Sequence, residues 1–229
     1  MKKWLIWIAA AVALVSCETK YNYHDTGVSE QYFPGNMYEY LHSNSYDWDS
    51  IVKIIDRAGL KEMFEKEEFT FVGPTNITVR KWFYWDRKDG MSGTDKGYVI
   101  HGYKSIKQVP VDLCRKIVYS HVIDKIVLRD LVARATYDET QKITGGGDFL
   151  TTRWGNRLWF WTDKEPYMGI DDMGPVILSM ASLDKHDKKL KDIGIASVDI
   201  RPTNGVVHSL PYSYNFGDMF EEKDWVKNY

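Results

Sequence analysis

Cysteine is nearly absent from this chain: Cys17 and Cys114 are the only two. Cys17 closes an N-terminal apolar segment, so no intramolecular disulfide is expected and stability must come from the core, which a chain of this length can supply. There is no Cys-x-x-Cys pair and no His-x-x-x-His. Asp171-Asp172, and Asp184 with Asp187, lack the alternating oxygen ligands and closing glutamate of a calcium loop, so no metal or cofactor is expected. Positive charge is not in excess either, with 30 Lys and Arg against 32 Asp and Glu. That balance offers no basic stripe, and a nucleic-acid partner is not expected. Gly145-Gly146-Gly147 lacks the Gly-Lys-Ser/Thr ending of a phosphate loop and is followed by Asp148, which would repel phosphate. No Gly-x-Ser-x-Gly elbow is present.

A long hydrophobic run is also missing. Trp4 to Val15 is apolar, but a helix over those residues spans roughly 18 Å against a hydrocarbon core of roughly 30 Å. Lys2 and Lys3 in front, and Leu14-Val15-Ser16-Cys17 behind, make this a secretory signal of lipoprotein type, with residues 1–16 removed. Cys17 is then the lipid attachment point, carrying acyl chains such as palmitate, and three chains anchor stably where one anchors marginally. The membrane is the first expected partner. The expected location is the outer membrane of a Gram-negative envelope, with Glu18, Asp25 and Glu30 leaving surface exposure open. Removal of the signal takes Lys2 and Lys3 with it, so the mature chain carries a net charge near −4.

Residues 17–35 are polar and aromatic without a period and are expected to be a tether. One domain is expected over 36–229. Met37, Tyr40 and Leu41 recur at helical spacing, and a second helix is expected from an Asp47 cap, burying Trp48, Ile51, Val52, Ile55 and Ala58 and stopping at Gly59. Phe69, Phe71 and Val72 read as a short strand. Residues 86–108 and 163–175, dense in glycine and charge, read as exposed insertions. Val111, Cys114, Ile117, Val118 and His121 share one helical face. Leu158–Trp161, Val176–Leu183, Ile195–Ile200 and Val206–Leu210 read as strands, with a solvated charge run over 185–189.

Three segments carry more than periodicity. They are Thr70-Phe71-Val72-Gly73-Pro74-Thr75-Asn76, then Tyr119-Ser120-His121-Val122-Ile123, then Asn204-Gly205-Val206-Val207-His208. In the first, Pro74 fixes φ and pushes Gly73 towards an extended conformation, and Thr75 or Asn76 can cap the following helix. Asn204-Gly205 reads as a hairpin-type turn. In this order the segments resemble the two signature boxes of the fasciclin domain, roughly Thr-x-Phe-Ala-Pro-Thr-Asn and Asn-Gly-x-x-His, with the Tyr-His element between them. Gly73 departs from the usual alanine. The resemblance covers about Met37 to Met219. It implies an α+β fold, a twisted antiparallel β-sandwich or wedge with several packed helices. It also implies a helical continuation over Ile126–Ala135, a threonine-glycine hairpin over Ile143–Leu150, and a non-catalytic adhesion or interaction role. Pro74, Thr75, Asn76, His121, Asn204, Gly205 and His208 are the family-type residues.

His121 and His208 lie in apolar segments, where a buried histidine bonded to backbone is the ordinary role. Cys114 lies in an apolar stripe, as a structural thiol does. The candidate ligand-binding residues are aromatic: Trp82, Tyr84, Trp85 and Trp154. Consecutive aromatics cannot all enter one core, and flat exposed rings stack on sugars or anchor protein partners. Packing of these rings against the two insertions is the competing reading. The function expected is capture of a glycan or an envelope protein. A structural accessory subunit of an outer-membrane uptake complex is the alternative, and an envelope glycan hydrolase, which would need a carboxylate pair about 5 to 10 Å apart in a cleft, is a third. Self-association is left open.

Overall fold

In the computed structural model of the chain, residues 31–84, 103–140 and 142–219 are described. The signal, Cys17, the tether up to residue 30, Trp85 and most of the insertion expected at 86–108 lie outside the described residues, and so does the side chain of Tyr84.

The domain begins earlier than expected. Residues 31–35, assigned above to the tether, already pair with it. The Phe33 N–H donates to the Arg201 carbonyl at 2.9 Å, the Arg201 N–H to Gln31 at 2.7 Å, and the Thr203 N–H to Gly35 at 2.9 Å. Helix α1 (Met37–Ser43) then starts on a capping box. The Asn36 side chain accepts the Glu39 N–H and the Glu39 carboxylate accepts the Asn36 N–H, both at 2.9 Å. Helix α2 (Ser45–Ala58) begins two residues before the expected Asp47 cap. Asp47 sits instead in the first turn, where a carboxylate faces the positive end of the helix dipole. Its expected apolar face is buried, with Ile54 added, and Gly59 in a left-handed conformation closes it. Helix α3 (Lys61–Lys66) follows, then strand β1 (Phe69–Gly73), helix α4 (Asn76–Tyr84) and helix α5 (Val111–Tyr119). In α5, Leu113 is buried and Val111 is exposed, the reverse of the expected stripe at that end.

Nine further strands follow among the described residues: β2 (Val122–Ile123), β3 (Ala135–Tyr137), β4 (Ile143–Gly146), β5 (Asp148–Thr151), β6 (Arg157–Lys164), β7 (Val176–Leu183), β8 (Lys189–Gly194), β9 (Ser197–Ile200) and β10 (Gly205–Ser209). They form one sheet ordered β2-β1-β10-β9, a second ordered β5-β6-β7-β8, and the two-stranded ribbon β3-β4. The architecture is α+β. Among the described residues, the pairings between these strands are antiparallel as expected except the central one, because β1 and β10 run parallel. That pair joins the two sequence boxes, with Thr70 opposite Val206 and Val72 opposite His208. One apolar core gathers Phe69, Phe71 and Val207 from the first sheet, Leu158, Phe160, Leu178 and Met180 from the second, and the inner faces of the helices.

Two expectations fail for physical reasons. Ile126–Ala135 is not helical beyond a single 3-10 turn at Arg129–Leu131. The backbone groups a helix would use internally are taken by tertiary partners. Thr70 Oγ1 accepts the Val127 N–H at 2.8 Å, His208 Nε2 bonds the Val127 carbonyl at 2.9 Å, and Asp199 Oδ1 accepts the Arg129 N–H at 3.0 Å. Ile143–Leu150 is not a hairpin, since β4 pairs back with β3 and β5 pairs forward with β6. Gly146 and Gly147, with φ of 76° and 71°, carry the chain between the two; a Cβ on Gly146 would lie 2.0 Å from the Arg134 carbonyl oxygen. Residues 185–189 are exposed, as expected of a solvated charge run, but the run turns into a strand, β8, that was not expected. The Asp184 carboxylate accepts the His186 and Lys188 N–H groups there at 2.8 and 2.9 Å. β8 is an edge strand that buries only Ile193, and its lysines blunt the edge.

Candidate functional site

The family-type residues turn out to be braces. Asn204 closes the β9–β10 connection; its Oδ1 accepts the Met37 N–H at 2.7 Å, and its Nδ2 donates to the Phe64 and Glu67 carbonyls at 3.0 and 2.9 Å. One amide therefore ties the start of α1 and the end of α3 to β10. The adjacent Gly205 has a φ of 153°, and a Cβ there would stand 2.3 Å from the Phe69 carbonyl oxygen. Asn76 does the corresponding work at α2. Its Oδ1 accepts the Ser50 N–H at 2.6 Å, and its Nδ2 donates to the Ser45 and Tyr46 carbonyls at 2.9 and 2.7 Å. It thus braces α2 across space instead of capping α4. Thr75 Oγ1 is buried without a hydrogen-bond partner among the described residues. Pro74 is buried beside it.

His121 and His208 are fully buried. A carbonyl can only accept, so His121 Nδ1–H donates to Ile117 at 2.7 Å and Nε2 accepts from the Tyr214 hydroxyl at 2.8 Å. By the same logic His208 Nε2–H donates to Val127, and Nδ1 accepts the Asp199 N–H at 3.2 Å. Burial keeps both rings neutral and pulls His121 down to about 4. Asp199 holds this geometry in a left-handed conformation with a φ of 57°. Cys114 is buried, and burial pushes its thiol up to about 11, away from any nucleophilic role at neutral pH. Among the described residues, no three His, Cys, Asp or Glu side chains group to hold a metal ion.

The candidate aromatics divide. Trp82 is only 7% exposed, its ring packed against Phe83, Tyr103 and Phe216 at centroid distances of 4.9, 6.5 and 5.8 Å. It is core, and as placed it presents no face to a ligand. Trp154 is 43% exposed. It sits in the turn between β5 and β6, which is fastened to the first sheet and α5: the Arg153 N–H donates to Val122 at 2.7 Å and the Trp154 N–H to Tyr119 at 3.1 Å. Thr152 and Asn156 close the turn with a backbone bond of 2.9 Å.

The surroundings of Trp154 were not legible in the sequence. Arg153 donates from Nε to Asp124 at 2.8 Å and pairs through Nη2 with Glu67 at 2.9 Å. Its guanidinium lies 5.8 Å from the Tyr119 ring centroid, and Lys116 Nζ lies 6.0 Å from that of Trp154. Glu67, Lys116, Tyr119, Asp124 and Arg153 come from four separate segments. The only sequence signal was an Arg-Trp pair followed by glycine. The result is a half-exposed aromatic ring near Lys116, on a hydrogen-bonded turn that also carries the Arg153 ion pairs. Such a corner can stack the apolar face of a ring-shaped ligand and exchange hydrogen bonds with hydroxyls at its rim.

No protein-family model matches the chain, and no curated protein matches it. Among solved structures, it is similar to a FAS1 domain pair from the insect cell adhesion molecule fasciclin I, at 17% identity and a TM-score of 0.49. The likeness covers 84% of this chain and 53% of that one, so the chain spans about half the length of that structure.

Proposed function

We propose that this chain is a non-catalytic capture module of the bacterial cell envelope, held to the outer membrane through lipidated Cys17, and that it binds a neutral glycan at the Trp154 corner. The observation that carries this reading is the half-exposed Trp154 on a hydrogen-bonded turn that also carries the Arg153–Asp124–Glu67 cluster. Stacking on a ring whose backbone is already held costs less entropy than ordering a free loop, and carboxylates and a guanidinium provide acceptors and donors for sugar hydroxyls. Hydrolysis fits the corner poorly. A glycosidase keeps one carboxyl protonated in a desolvated site, whereas Glu67 and Asp124 lie exposed against one guanidinium.

The test is binding of the mature chain to a panel of neutral and acidic polysaccharides and oligosaccharides, followed by tryptophan fluorescence. Saturable binding should weaken about thirtyfold or more in Trp154→Ala, a loss typical of an aromatic anchor, and should also weaken in Asp124→Asn. No binding across the panel would overturn the glycan reading and leave a protein ligand. Lipidation is tested separately, by the mass of the N-terminal peptide from the envelope fraction.

A further inference from the structure

The connection between β6 and β7, expected to be an exposed insertion, is an ordered hairpin arm that presents apolar side chains to solvent. The Tyr167 N–H donates to Ile170 and the Ile170 N–H to Tyr167, both at 3.0 Å, so the arm ends in a two-residue turn at Met168-Gly169. The Gly174 N–H donates to Glu165 at 2.8 Å lower down, and Arg134 Nη1 braces the base through Asp172 at 2.9 Å. Tyr167, Met168, Ile170 and Met173 are 60, 84, 58 and 63% exposed. Scattered apolar side chains on a surface need no explanation, but four on one short arm do.

The turn itself adds an independent observation. Met168 and Gly169 have φ of 52° and 79°, the mirror-image turn that favours Asn-Gly. A long apolar side chain thus occupies a position where the backbone disfavours it, and it is the most exposed apolar side chain of the arm. Strain kept at an exposed tip points to a function of that tip.

We infer that this arm is a bilayer-contacting element, whose tip dips into the interfacial region of a zwitterionic phospholipid membrane. Pro166 to Ile170 carry no charge, and Tyr167 has the amphipathic ring that suits the membrane–water boundary. Asp163, Glu165, Asp171 and Asp172 stand behind the tip against Lys164 and Arg134, a net negative balance, so the arm is complementary to a zwitterionic surface and repelled by an anionic one. The chain between an anchor at Cys17 and the start of the domain at Gln31 spans at most about 45 Å. That is close to the width of a domain this size, about 40 Å, so a membrane is within reach of any face. In this respect the inference rests on the proposed lipid anchor. A contact too weak to hold a free protein becomes effective when the anchor raises its local concentration, and it would fix which face of the domain looks outward.

The test uses the mature chain with Cys17→Ser, so that no lipid contributes, and cosedimentation with phosphatidylcholine–phosphatidylethanolamine vesicles. The expected result is partitioning at millimolar lipid, reduced when phosphatidylglycerol is added. Met168→Asp and Ile170→Asp should each lower it about tenfold or more, while Leu131→Asp, the same change at a side chain 74% exposed elsewhere, should not. Met168→Gly suits the turn, so it should keep or raise the melting temperature and still lose binding. No partitioning of the unaltered chain, or equal loss in Leu131→Asp, overturns the inference. Concentration-dependent oligomers that disappear in Met168→Asp would also overturn it and make the arm a protein interface. Because the assay uses unlipidated protein, its failure leaves the N-terminal mass and glycan measurements standing.

Discussion

Replacing Gly73 by alanine should destabilise the domain, although alanine is usual at this place in the fasciclin box that the segment resembles. Gly73 ends β1, is buried, and does not have a left-handed φ. The backbone would therefore accept alanine, and restricting the unfolded chain would by itself favour it by about 0.4–1 kcal/mol. The obstacle is space. A Cβ on Gly73 would stand 2.4 Å from Trp48 Cζ3, 2.7 Å from Cη2 and 3.0 Å from Phe71 Cε1. Trp48 cannot swing aside, being 1% exposed and held within α2. Overpacking of this kind costs about 1–3 kcal/mol, which outweighs the entropic gain and leaves a net loss of about 1–2 kcal/mol. For a domain of this size that lowers the melting temperature by about 2–8 °C, readable by thermal circular dichroism. Trp48→Leu, destabilising alone through its cavity, should remove most of the penalty of Gly73→Ala, so the double variant should be more stable than the two single losses predict. A Gly73→Ala protein that melts at or above the parent temperature, or a strictly additive cycle, would refute the steric argument.

Asn204→Ala should cost about 3 kcal/mol, because it leaves the Met37 N–H and the Phe64 and Glu67 carbonyls without their partner. Asn204→Asp should be no better in a chemical unfolding series despite its identical shape, since it sets a carboxylate against two carbonyl oxygens. His208→Ala should likewise lower stability by about 3 kcal/mol or more while ligand binding at the Trp154 corner, measured well below the melting temperature, is retained. Burial lowers His121 to about 4 in the folded state, against an unfolded value near 6.5. The unfolded chain binds the extra proton in that interval, so the His121 contribution is complete above about pH 6.5 and declines as pH falls towards 4. It amounts to about 3 kcal/mol. Urea unfolding between pH 7.5 and 4.5 should show this decline, and its persistence undiminished in His121→Gln would argue against His121 as the source.

The elements with a local cause were legible. The α2 face and its Gly59 stop follow from spacing and a left-handed terminus, and β1 follows from Phe69, Phe71 and Val72. What failed was decided at long range. Nothing local in Ile126–Ala135 announces that Thr70, Asp199 and His208, far along the chain, will take its backbone groups. β8 was hidden because an edge strand with one buried residue looks like a charge run. The parallel pairing of β1 with β10 leaves no mark in either segment, although both segments were singled out. The aromatic site was half legible. Exposure of Trp154 follows from its turn, but Trp82 is buried by Tyr103 and Phe216, which no window around residue 82 contains.

The motifs and the proposed binding surface are separated for an energetic reason. The side-chain amides of Asn76 and Asn204 and both ring nitrogens of His121 and His208 are already bonded, most of them to backbone. A ligand recruiting any of them would have to break a bond and strand the former partner, at about 1–3 kcal/mol each. The residues that define the fold are therefore poor places to bind anything. Binding is left to segments that the braces position but do not consume. Two such segments lie at opposite ends of β6: the turn carrying Arg153 and Trp154, and the arm carrying Tyr167 and Met168. An eight-residue strand places these ends roughly 25 Å apart. A single strand can thus hold the proposed sugar-stacking ring and the proposed membrane-contacting tip at a fixed separation. Shortening the arm by deleting 167–170 should then abolish vesicle partitioning without changing glycan affinity; a loss of both would mean that the two surfaces are not independent.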